Sequence, residues 1–386
     1  MEVIVHQAEV FKLLDVLLAR WKSTPRQYPF NRRDAIIPQN IIPTEIRANK
    51  TRLACFYFYT CIYMRGGIES LQVFNALIKM WRIHPELFDP LHAQWWKQSD
   101  VQVILKRFIG WDSKAASVNW IENSKRLVRN WGGDPLELIK GLSKYDEALR
   151  RIKNKTTKKE LHEAEVKEKN GEGFRGFQPK MVSMILYFYD WEGWLKPRFL
   201  YPSPADFHNF RFALANRGME ILPFTPVVRT SEKISAPWRT VVMAYMKARK
   251  ADPVEVSDAL WLFSLVMCGN SPVTTTYKVP PLERRERPGL FIFGEIQEEW
   301  DYGKSVKAKK SLKLQQTCLI CPFADTCDYA IPARPYYTKG LLELRLRAKV
   351  IEGIGFNHLP DPKPDEVVID QEVLQLLTTL EHPVSA

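Results

Sequence analysis

Residues 174–189 read FRGFQPKMVSMILYFY, a short turn around Gly176 that runs into a helix whose Met181, Ile185, Phe188 and Tyr189 can face a core. A turn of this kind between two helices presents a concave set of backbone N–H groups, backed by the positive end of the second helix. Such a surface holds a phosphate without reading base sequence. Gly176, Gln178 and Lys180 are therefore candidate contacts to a nucleic-acid backbone.

Twenty-six residues beyond Lys180 comes Asp206, in the segment PADFHNFR at 204–211, with His208 and Arg211 close behind it. An Asp at the start of a helix is most simply an N-cap. A fixed, partly desolvated carboxylate is also what cleavage of an N-glycosidic bond requires. Positive charge builds on the sugar as the base leaves, and an anion beside it stabilises that charge or activates water.

Further on, Cys318, Cys321 and Cys327 form C-x2-C-x5-C, close enough for three thiolates to converge from one loop. The candidate fourth ligand is Cys268, which ends the apolar run Leu260 to Met267 and precedes the helix-stopping Gly269-Asn270-Ser271-Pro272. Four thiolates suit an iron–sulfur cluster or a tetrahedral zinc ion, and unrelated buried thiols are a third reading. Cys55 and Cys61 lie in an apolar N-terminal helix and are expected to be core residues.

In this order, the hairpin, the Asp and the cysteines resemble the helix-hairpin-helix DNA glycosylases, in the endonuclease III and adenine-glycosylase branch that carries a [4Fe–4S] cluster. Residues 174–180 resemble the family hairpin L-P-G-x-G-x-K, with Gly176 at the first glycine and Lys180 at the lysine. Gln178 stands where the second glycine would be, which predicts an altered turn, because a non-glycine at positive φ is uncommon. PADFHNFR resembles P-V-D-x-H-x-x-R, whose Asp is catalytic, so the resemblance gives Asp206 that role. Between Cys268 and Cys318 lie 49 residues, an insertion where the family has a short spacer. The implied cluster is structural or engages DNA, since four thiolates leave no open iron. Lys180 is either a Schiff-base nucleophile, as in glycosylases that also nick the strand, or a lysine facing phosphate or solvent.

Residues 44–70 and 109–135 resemble a narrower group, the alpha-glutamyl/putrescinyl thymine pyrophosphorylase-like proteins, and the similarity extends over about 45–330. It implies a bulky modified pyrimidine, hypermodified or glucosylated, flipped out of double-stranded DNA and excised to leave an abasic site. The setting would be phage DNA, either antiphage defence or the making of modified DNA. Arg47, Arg65, Gly66 and Gly67 are expected to line the base pocket, with Asn49 and Arg52 nearby; Arg65-Gly66-Gly67 also fits a glycine-capped helix end. Alternatives are a base-excision repair glycosylase for damaged bases, a phosphorolytic enzyme of DNA hypermodification, and a non-catalytic DNA-binding module.

Composition agrees with a soluble chain that meets a polyanion. Of 386 residues, 45% are hydrophobic and 26% charged, and the formal net charge is +12. No basic segment followed by an apolar run opens the chain, and no stretch approaches the length of a membrane span, so a cytoplasmic monomer with no membrane contact is expected. In that compartment six cysteines argue against a disulfide framework.

Most of the chain carries helical periodicity, including 8–21, 51–64 and 114–131, and almost none carries sustained alternation, apart from short apolar runs such as Leu290 to Phe293. The Lys/Glu-rich 151–172 is expected to be a solvated helix or a flexible insertion, the lysines of 304–313 a mobile solvated loop that could instead touch phosphate, and the stretch from Leu359 an extended tail. The fold expected is all-α and two-lobed. Its segments are 1–145 (N-terminal lobe), 146–235 (hairpin and Asp206), 236–345 (helical and cluster) and 346–386 (tail), with N- and C-terminal parts packing together.

Overall fold

The computed structural model describes residues 2–64, 70–110, 112–154, 173–222, 232–267, 321–323, 326–327, 333–338 and 341–346. These residues are mostly helical, as the periodicity predicts. Of the run 151–172, expected to be solvated, residues 151–154 are described: they close the helix Tyr145–Ile152 and its C-cap, and Ile152 and Asn154 are buried. Residues 155–172 and 304–313, the apolar run 290–293 and the tail lie outside the described residues.

The chain divides into two compact units, each drawn from separated stretches. One unit combines Met1–Asn31, Ala205–Val242 and Asp258–Ala386; the other combines Arg32–Pro204 and Met243–Ser257.

In the unit built mainly from 32–204, α2 (Arg33–Ile36) precedes helices α3 (Thr44–Arg47), α4 (Lys50–Tyr63), α5 (Ser70–Ile83), α6 (Pro90–Ala93), α7 (Gln98–Phe108), α8 (Ser113–Trp131), α9 (Tyr145–Ile152) and α10 (Pro179–Trp191), which surround one core. α4 is its axis. Asn49 caps it by accepting the Arg52 N–H at 2.9 Å, and every residue from Leu53 to Tyr63 is buried. Successive residues on a helix point about 100° apart, so three adjacent rings face three neighbours. Tyr57 stacks on Phe188 of α10 at 4.6 Å, Phe58 on Phe177 of the hairpin at 5.3 Å, and Tyr59 on Trp120 of α8 at 4.4 Å. Each such pair is worth about 0.5–1.5 kcal/mol beyond its burial.

The polar tips are satisfied too: Tyr59 Oη and Ser124 Oγ are hydrogen-bonded at 2.6 Å, and Trp120 Nε1 donates to the Leu87 carbonyl. Cys55 and Cys61 are buried in the same helix, where desolvation pushes their thiols well above the usual range. They are core residues.

α8 ends as its sequence predicts. Gly132 and Gly133 have φ of +61° and +84°, and their N–H groups return to the carbonyls of Val128 and Leu127.

The other unit opens with β1 (Glu2–Val5) and α1 (Gln7–Lys22) and resumes with α11 (Phe207–Ala215) and β2 (Met219–Leu222). β1 and β2 pair antiparallel, Glu2 opposite Leu222 and Val5 opposite Met219, which ties the first residues to the stretch after Asp206. Gly218 lets α1 approach: a Cβ there would lie 3.2 Å from both Leu13 and Val10 side chains. α12 (Glu232–Arg249) and α13 (Pro253–Met267) contribute residues to both units, and β3 (Ala333–Thr338) pairs with β4 (Leu341–Leu346). No helix among the described residues is long and apolar enough to cross a membrane.

Candidate functional site

The hairpin between α9 and α10 is fixed from below. Phe174 and Phe177 are both buried, and both rings pack on Phe58. The Phe177 N–H donates to the Phe174 carbonyl at 3.1 Å, and Gly176 at the third position has φ +82°, the value a type II turn demands. Gln178 comes next in extended backbone, φ −97° and ψ 175°, so its side chain meets no left-handed conformation. Gln178 therefore needs no glycine-like backbone, because the left-handed residue of the four-residue turn 174–177 is Gly176.

Further contacts tie the turn to α8 and α9. Asn123 is fully buried; its Nδ2 donates to the Arg175 carbonyl at 3.0 Å and its Oδ1 accepts the Arg175 N–H at 2.7 Å. Arg126 donates to the Gly173 carbonyl at 2.9 Å. Gly173, φ +71°, sits so close to α9 that a Cβ would fall 2.1 Å from the Lys153 carbonyl oxygen. Gln178 is exposed and Lys180 half-buried in the first turn of α10. None of these supports is visible in the local sequence pattern, although two phenylalanines flanking a turn are a signal of buried anchors.

Asp206 is the N-cap of α11. Its Oδ1 accepts the His208 N–H at 3.0 Å, and both side chains are half-buried. Arg211 lies on the same helix, and its side chain is outside the described residues.

The remainder of α11 leads to the cysteines. Phe212 packs edge-on against Phe263 of α13 at 5.5 Å and against Phe323 at 5.4 Å, and Phe263 and Phe323 meet at 5.4 Å. Phe323 is buried and lies between Cys321 and Cys327, in a turn closed by the Cys327 N–H on the Phe323 carbonyl at 2.7 Å. α13 ends at Met267, immediately before Cys268. One aromatic triad thus joins the helix that Asp206 caps, the helix that leads to Cys268, and the turn holding two further cysteines. Arg20 of α1 stands nearby: burial lowers the pKa of its guanidinium, and the charge of Cys321 opposes that lowering.

Cys268 and Cys318 lie outside the described residues, as do Arg65, Gly66 and Gly67. Among the described residues no three His, Cys, Asp or Glu side chains converge as a metal site. Arg47 is engaged in holding the chain: it donates to the carbonyls of Gln39 at 2.6 Å and Ile42 at 3.2 Å and to Glu192 at 3.3 Å. Glu192 also accepts from Tyr57 Oη at 2.6 Å. Arg52 donates to the Glu45 carbonyl and lies over Trp81.

No protein-family model matches the chain, and neither a curated protein nor a solved structure matches it.

Proposed function

We propose that the chain is a DNA glycosylase that flips out and excises a modified pyrimidine, with Asp206 as its catalytic carboxylate and a [4Fe–4S] cluster held by Cys268, Cys318, Cys321 and Cys327. What supports this most is the Phe212–Phe263–Phe323 triad, which packs the segments carrying Asp206 and the cysteines into one structural unit. The braced turn at Gly176 adds a preformed surface of the kind that holds a phosphate. A capped carboxylate suits the chemistry, since the His208 N–H fixes its direction at a helix terminus that favours negative charge.

The donor set fits the cluster: thiols alone, two of them on one tight turn over a buried phenylalanine. When bound, it would cross-link the loop to the end of α13. Anaerobically purified protein is expected to contain iron and inorganic sulfide rather than zinc, and Cys321→Ala to lose both. Zinc without iron would reassign the centre as a structural zinc site.

Duplexes carrying plain, hydroxymethylated or glucosylated cytosine, and duplexes carrying oxidised or deaminated bases, test the substrate. Base release with abasic-site formation is expected only from the modified pyrimidines. Release from damaged DNA alone would make the chain a repair enzyme, and release from none would contradict a glycosylase.

A further inference from the structure

The turn at 173–177 is held more firmly than a surface turn needs to be. Burying an amide or a guanidinium is unfavourable unless its polar atoms are paired. Asn123, fully buried, commits both halves of its amide to the main chain of Arg175, and Arg126, nearly as buried, commits one arm to Gly173. Water would satisfy those main-chain groups equally well on an ordinary loop. What the two side chains add is a fixed shape, and the part they fix most directly is Arg175.

Phe174 and Phe177 plunge into the core on either side, while Arg175 stays half-exposed at the second position of the turn. Its guanidinium makes no hydrogen bond or ion pair among the described residues. Exposed Gln178 and half-buried Lys180 come after it. A planar, always-charged fork on a rigid base is suited to a phosphate diester, because little conformational freedom is lost on contact.

We propose that Arg175 is a side-chain contact to a DNA backbone phosphate and that Asn123 is its positioning residue. This rests on the DNA-binding part of the function proposed above and adds to it a charged contact independent of the turn's N–H groups.

The test is binding of the full chain to a short unmodified duplex, measured between about 50 and about 200 mM salt. Arg175→Ala is expected to weaken binding about tenfold at the low end and to reduce the log–log salt slope by about one. Arg175→Lys should restore the slope. Asn123→Ala, confirmed folded by circular dichroism, should also weaken binding, and adding Arg175→Ala to it should change little further, because the two act as a unit. Should Asn123→Ala fail to fold, the Arg175 pair still decides. Unchanged affinity and slope in Arg175→Ala, with a wild type that binds, would overturn the proposal and leave DNA binding standing. A wild type that binds no duplex would overturn both.

Discussion

Arg198→Ala is expected to lower the unfolding free energy by about 3 kcal/mol, the low end of the cost of stripping one partner from a buried ion pair. Asp190, at the end of α10, has a side chain only 3% exposed. Arg198 grips it through Nε at 2.8 Å and Nη2 at 2.9 Å, and Tyr201 Oη donates to it at 3.0 Å. The same guanidinium reaches Asp252 at 2.7 Å, and Asp252 accepts the Val254 N–H at the start of α13. Burial pulls the Arg198 pKa down, and the hydrogen bonds to Asp190 and Asp252 outweigh it, holding the pKa above the ordinary arginine value.

Without Arg198, a carboxylate stays inside with a single phenol for company. Because Arg198 is itself 47% exposed, water can reach part of the gap, which sets the expected loss at the lower end. Urea unfolding of wild type, Arg198→Ala and Arg198→Lys at neutral pH checks this. A deficit below about 1 kcal/mol would mean that Asp190 is solvated without its partner.

Asp206→Asn is expected to reduce base release by about a thousandfold while leaving the melting temperature within a degree or so. The proposed catalytic role and the observed capping role fall on one side chain, and the substitution separates them. Asn is as good an N-cap as Asp, so the amide oxygen can still accept the His208 N–H and α11 keeps its start. The charge that would stabilise an oxocarbenium-like sugar is gone. Asp206→Ala should lose both, adding about 1 kcal/mol of destabilisation to the same loss of release. If the carboxylate were only a cap, Asn would behave as wild type in both measurements.

The helices are legible in the sequence because their signals are local. The all-round apolar pattern of 51–64 becomes the buried α4, and Gly132-Gly133 stops α8 where the sequence places the stop. What escapes such a reading is long-range. β1 pairs with residues 219–222, and four-residue strands leave too little alternation to register against helical neighbours. Arg47 reads locally as a candidate residue of a pocket lining, and its bond to Glu192, 145 residues away, has no local signal.

The candidate site divides in the same way. Gly176 and Asp206 announce themselves by residue type at a turn and at a helix start, but their supports come from elsewhere in the chain. Asn123 lies 52 residues from the backbone it clamps, and Phe212, Phe263 and Phe323 meet only after folding. Residue type alone predicts that Gln178 distorts the turn, and the turn absorbs it by placing positive φ at Gly176.

Single-turnover base release, wild type against Asp206→Asn, tests the central claim most directly. It should use duplex DNA bearing a glucosylated or otherwise enlarged pyrimidine, with both proteins shown to bind that duplex equally. Release by the wild type and its near-complete loss in the Asn variant is the result predicted. Equal release by both would contradict Asp206 as the catalytic carboxylate and leave it as the cap of α11.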